Sequence, residues 1–71
     1  MDLDILLTDD DISILIGDSC GNVIEVHLYP NSLDSYYEIL EKLDSSVLAV
    51  KYFKGDKIFG TNRGELRYIK K

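Results

Sequence analysis

Apolar and polar residues alternate along much of the chain. Leu3, Ile5 and Leu7 share one parity and Asp2, Asp4 and Leu6 the other, which predicts a half-buried strand over residues 2–7. Thr8-Asp9-Asp10-Asp11 interrupts the run as a hairpin loop does. Ile12, Ile14 and Ile16 then alternate with Ser13 and Leu15, a β-branched strand pattern. Glycines bound the polar stretch from Gly17 to Gly21, where the chain is expected to reverse. Val23 to Tyr29 returns as a strand, with Ile24, Val26 and Leu28 on one face.

After Pro30 the period changes. Leu33, Tyr36, Leu40 and Leu43 recur at three- and four-residue intervals, widened by Tyr37 and Ile39. Asn31 is a suitable N-cap, Asp34 lies near the positive helix end, and Glu38 and Lys42 stand four apart. These features predict a helix over residues 32–44. Val47 to Phe53 resumes strand alternation, Lys54 to Lys57 reads as a tight hairpin, and strands over 58–61 and 65–69 flank the turn Asn62-Arg63-Gly64.

The expected fold class is therefore α+β, a single small domain over residues 1–71. Its mostly antiparallel sheet, in the order β-β-β-α-β-β-β, has one helix packed on one face. Such a helix cannot cover six strands. The face bearing Leu6, Leu15, Val23, Val47 and Ala49 among charges is left to curl or to meet another copy or another protein.

Gly17 to Val23 parallels Gly60 to Leu66 at an offset of 43 residues. The stretch from Leu48 to Ile69, with its Gly-x-x-x-Gly turn, resembles the inner strands of a β-propeller blade of the WD type. The Gly-His and Trp-Asp signatures of that family are missing, the likeness covers about a third of the chain, and 71 residues are too few to close a propeller. The offset also sets Glu25 against Tyr68, a mismatch of faces. On these grounds the two glycine-bounded hairpins are read as independent.

Composition narrows the function classes. At 45% hydrophobic the chain is too apolar for obligate disorder, and one cysteine, Cys20, excludes an internal disulfide. The opening Met1-Asp2-Leu3-Asp4 does not resemble a secretory leader, and the longest apolar stretches fall well short of the roughly 20 residues of a membrane helix. A cytoplasmic protein without membrane contact is expected. Thirteen acids oppose eight bases, and the imbalance is segregated. Residues 1–44 hold eleven acids and one base, for a net −10, whereas residues 45–71 carry a net +5.

Site chemistry is sparse. Asp9, Asp10 and Asp11, with Asp4 and Asp18, offer oxygen ligands but no EF-hand spacing, so no metal site is assigned. Cys20 and His27 are the only candidates for nucleophilic chemistry, and the predicted hairpin holds them apart, with His27 exposed on its strand. Glu38 and Glu41 share a polar helix face without an implied cleft. No catalytic residue and no cofactor are assigned.

The expected function is a non-enzymatic protein-binding module. Its partner-binding residues are Asp9, Asp10, Asp11, Asp18, Tyr29, Asp34, Tyr37, Glu38 and Glu41, with Glu25 adding to the acidic surface. Acids steer docking onto a basic patch and tyrosines add affinity. A nucleic-acid-binding protein is an apt target, as for the small inhibitors with which phages and plasmids block host defence nucleases. Self-association as a homodimer, through an edge strand or the bare sheet face, is expected as well. The alternative is an accessory or structural subunit that contacts nucleic acid through Lys51, Lys57, Arg63 and Arg67, with Phe53 and Phe59 between them.

Overall fold

A computed structural model describes residues 2–70. Seven strands make up all the regular structure of these residues: β1 (Asp2–Leu7), β2 (Ile12–Gly17), β3 (Asn22–Tyr29), β4 (Asp34–Lys42), β5 (Val47–Phe53), β6 (Asp56–Thr61) and β7 (Leu66–Ile69). They form two antiparallel sheets, β1-β2-β3-β4 and β5-β6-β7, in which every neighbour in space is also a neighbour in sequence. Such meanders need only short hairpin connections.

The fold class is thus all-β, and the predicted helix over 32–44 is a strand. Residues 30–33 form the turn, held by the Ser32 N–H donating to the Tyr29 carbonyl at 3.1 Å. Leu33 adopts a φ of 57° and its side chain is exposed, so it anchors no helical stripe. Two tyrosines and Ile39 favour an extended backbone, and β3 offers a free edge along its length. Pairing runs from Tyr29 with Asp34 to Asn22 with Lys42. Val23 opposes Glu41 while Ile24 opposes Ile39, which leaves Leu40 as the extra residue of a β-bulge. That bulge hides the period-2 alternation, and the three-and-four spacing of the leucines mimics a helix.

The buried side of the first sheet is also the reverse of the expected one. Leu15 and Val23 are fully enclosed, and with Val47, Val50, Tyr52 and Phe59 they form the core between the two sheets. Leu6, Leu40, Leu43 and Ile69 pack around its margin. Leu3, Ile5 and Leu7, the stronger apolar row of β1, stand outside and are at least half exposed.

Local chemistry fixes the way the sheets meet. Gly17 lies under sheet β5–β7 so closely that a Cβ there would sit 2.3 Å from Val47 Cγ1 and 2.9 Å from Val50 Cγ1. The linker of residues 43–46 is tied to the β2–β3 turn: Leu43 N–H donates to the Gly21 carbonyl at 2.8 Å and Val47 N–H to the Asp18 carbonyl at 2.9 Å. Lys54 and Gly55, with φ of 52° and 86°, make the two-residue hairpin turn that the right-handed twist of paired strands favours.

Candidate interaction surface and the polar seam

Between the sheets, the buried face of β1–β4 carries an unusual load of polar groups. Asp2 and Asp4 alternate with Leu3 and so point across at β5, the edge strand of the second sheet. Asp2 Oδ2 accepts the Val50 N–H at 3.1 Å, and Asp4 Oδ2 accepts the Tyr52 N–H at 2.8 Å. These carboxylates satisfy edge donors that no strand pairs.

Farther along, Glu25 is only 5% exposed. Its Oε2 accepts the Tyr52 hydroxyl at 2.7 Å, and Lys57 Nζ stands 3.7 Å from Oε1. Burial, reinforced by the Glu25 carboxylate, pushes the Tyr52 phenol far above its ordinary value of 10.0. His27 Nε2 lies 3.1 Å from Glu25 Oε1 and 3.5 Å from Glu38 Oε1 without the alignment of a hydrogen bond, while Nδ1 lies 3.4 Å from Ser13 Oγ. The His27 ring stacks on Tyr36 at 4.7 Å, and Tyr36 on Tyr29 at 5.9 Å. The Tyr29 hydroxyl, donating to that of Tyr36, has its pKa pushed up to about 12, chiefly by this hydrogen bond.

Glu25, His27 and Glu38 bring one ligand atom each within 4.8 Å of one another, a grouping that fits a divalent ion in outline. However, Lys57 and Tyr52 already engage both oxygens of Glu25. The cluster forms a polar seam in which both oxygens of Glu25 are engaged, whereas His27 Nε2 has no hydrogen bond among the described residues. It also corrects two expectations: Glu25 is not part of the outward acidic surface, and His27 is largely buried rather than exposed.

The nine residues expected to bind a partner do not form one surface. Asp9, Asp10 and Asp11 occupy the β1–β2 tip, where the Thr8 hydroxyl donates to the Asp11 carboxylate, beside Pro30 and Asn31. Asp34 opposes Tyr29 at the same end of the sheet. Asp18 lies at the far end and closes a turn: it accepts N–H groups of Cys20 at 2.9 Å and Asn22 at 2.8 Å, plus the Asn22 side-chain amide at 2.9 Å. Those bonds, led by the side-chain amide, hold its carboxyl below the usual 3.8. Glu38 and Glu41, on either side of the bulge, both turn inward, Glu38 to His27 and Glu41 to Arg67 at 3.6 Å. Tyr29 and Tyr37 fall on opposite faces, since Tyr37 pairs with Val26 of the outer row.

The four cations of the alternative reading are likewise dispersed. Lys57 and Arg67 turn inward to Glu25 and Glu41, Lys51 is exposed on β5, and Arg63 sits in the β6–β7 turn. Phe59 is enclosed in the core, so of the two phenylalanines only Phe53 is exposed for stacking.

The outer face of β1–β4 is the surface that sequence reasoning missed. Registers β1–β2, β2–β3 and β3–β4 put Leu3 beside Ile16, Ile16 beside Ile24, and Ile24 beside Ile39. The next row runs Ile5, Ile14, Val26, Tyr37. A third holds Leu7, Ile12, Leu28 and Ser35. Eleven of these twelve side chains are apolar or aromatic and none is charged; Lys42, paired with Asn22, marks the end of the face beyond them. No other described element covers it. The alternation of β1 to β3 is legible in the sequence, but the helix expected to pack over one face of the sheet does not form. The second sheet has a smaller open face, where Phe53, Ile58, Leu66 and Tyr68 border a shallow hollow.

No protein family, curated protein or solved structure matches the chain. Among the described residues no helix is long and apolar enough to cross a membrane.

Proposed function

We propose that this chain is a non-enzymatic interaction module of the cytoplasm that binds another protein through the open apolar face of β1–β4. The observation that carries this reading is the face itself, three rows across four strands without a charge. A patch of that kind is rare on a monomer that works alone, and it marks a surface meant to be covered. The acidic tip of Asp9–Asp11 stands at one end of the same sheet, where it steers a basic partner into place.

A second reading has one specific support. Asp9, Asp10 and Asp34 gather at that end, and none of them has a cation within ion-pair distance among the described residues. An acid-led contact there suits an inhibitor that occupies the phosphate-binding surface of a nucleic-acid-binding protein, of the kind phages and plasmids carry.

One comparison separates the two. Proteins retained by the wild-type chain and by an Ile14→Lys chain are captured from the source cell at low and high salt, and the contact is mapped by hydrogen exchange. Our reading expects a partner that resists salt, protects β1–β3 and is lost with Ile14→Lys. A partner that is lost in salt and on neutralising Asp9–Asp11, yet kept by Ile14→Lys, overturns it in favour of the inhibitor.

A further inference from the structure

Strands β1–β3 of the first sheet and β5–β7 of the second form the same three-stranded meander. In the β2–β3 hairpin, Leu15 opposes Glu25, Ile16 opposes Ile24 and Gly17 opposes Val23. In β6–β7, 43 residues on, Ile58 opposes Tyr68, Phe59 opposes Arg67 and Gly60 opposes Leu66, an identical register. The preceding strands agree as well: Leu3 opposes Ile16 and Asp4 opposes Leu15, as Val50 opposes Phe59 and Lys51 opposes Ile58. Register is kept across three strands, at an offset of 47 residues for the first and 43 for the other two, which lets the two units stack as repeats do.

Matching positions then reveal how the faces are used. Val50, Tyr52 and Phe59 face the first sheet and are buried. Their counterparts Leu3, Ile5 and Ile16 lie on the open face of β1–β4. Conversely, Leu15, Gly17 and Val23 face the second sheet, whereas their counterparts Ile58, Gly60 and Leu66 lie on its open face. The pairing of Glu25 with Tyr68, which argues against a repeat when both are assumed to face inward, is what two units stacked in the same sense require.

Gly60 supplies an independent observation. Its counterpart Gly17 has to be glycine because Val47 and Val50 occupy the space of a Cβ. At Gly60 a Cβ would meet nothing nearer than the Glu65 carbonyl at 3.8 Å, and the backbone does not have a positive φ. No described residue occupies this gap.

Resting on the interaction-module reading above and naming its partner, we infer that the protein bound by the β1–β4 face is a second copy of this chain, docked head to tail. The open face of its β1–β4 seats on the open face of β5–β7, with its Leu3 over Gly60 as Val50 lies over Gly17. The apolar part of the contact between sheets inside one chain is thereby repeated between chains, with Lys51 and Tyr68 standing where Asp4 and Glu25 stand inside it. Such a heterologous contact leaves one open face at each end, so it grows into a ring or a filament rather than stopping at a symmetric dimer.

The test is the mass in solution of the full chain, by sedimentation equilibrium across a concentration series. The wild type is expected to rise above 8.1 kDa in multiples of that mass. Ile5→Lys, on one face, and Gly60→Val or Leu66→Lys, on the other, each hold it at a single chain. Mixing Ile5→Lys with Gly60→Val restores one contact, giving a heterodimer that grows no further. A wild type that remains a single chain at every concentration overturns the inference, as does a Gly60→Val chain that associates like the wild type. The latter result means two β1–β4 faces paired with each other, which leaves the interaction-module reading standing. An Ile5→Lys chain that fails to fold strikes that reading instead, since the face would then be needed inside the molecule.

Discussion

The meander β1–β3 and the meander β5–β7 share register but not fate. In β5–β7 the apolar row of Val50, Tyr52 and Phe59 is buried and the polar residue Lys51 is outside. In β1–β3 the equivalent row, Leu3, Ile5 and Ile16, is open, and the buried row carries Asp2, Asp4, Ser13 and Glu25. Alternation therefore reports that a strand has two unlike sides. It does not report which side is covered, because that depends on what arrives from elsewhere. The polar row is the buried one here because each of its charges finds a partner across the seam: backbone N–H groups for the aspartates, Tyr52 and Lys57 for Glu25.

The comparison can be broken most forcefully at Phe59. Phe59→Ala empties the middle of the core and is expected to cost about 3–5 kcal/mol of unfolding free energy in urea titrations. Ile16→Ala, its counterpart, is expected to cost clearly less because its face is uncovered. Equal losses would show that the open face is covered in solution even at low concentration. Next come the two glycines. Gly17→Val drives a side chain into Val47 and Val50 and is expected to cost about 1–3 kcal/mol, whereas Gly60→Val in the dilute chain stays within about 0.5 kcal/mol of the wild type.

Tyr52→Phe removes the hydroxyl that Glu25 accepts, and leaving that buried carboxylate short of a donor costs about 1–3 kcal/mol. The same phenol sharpens the alkaline limit. Its folded pKa is raised, so its contribution is complete below the ordinary value of 10.0 and is lost as pH climbs toward the folded value. Melting temperatures of the wild type should therefore fall above pH 10 more steeply than those of Tyr52→Phe. The smallest effect is at Asp18, whose folded pKa is depressed. Its contribution is present above pH 3.8 and fades as pH falls through the folded value, so Asp18→Asn should flatten the acid side of the stability profile.

Much of this architecture was legible in the residues. Six of the seven strands lie where alternation and turn residues place them, and Gly55 and the polar hairpin tips mark the reversals. The region after Pro30 was not, because the bulge at Leu40 breaks the period of two and leaves Tyr36, Leu40 and Leu43 at helical spacing. A helix there would cover the apolar row of Leu3, Ile5 and Leu7; with a strand in its place that row belongs to the open face. The Asp2–Leu3–Asp4 alternation was visible, yet only the nearness of β5 shows what two strand aspartates accept. The acidic segment and the basic one do meet, at Glu25 with Lys57 and Glu41 with Arg67, which charge counting alone could not place.

The neighbour-to-neighbour order of both sheets also sets the course of folding. Each ladder closes only a short loop, so both meanders are local structures that form without a long search of chain conformations. The ties from Asp2 to Val50 and from Asp4 to Tyr52 span 48 residues and can form only when the two finished pieces meet. The rate-limiting barrier is thus expected at that meeting. Weakening the seam should speed unfolding while leaving hairpin formation almost untouched.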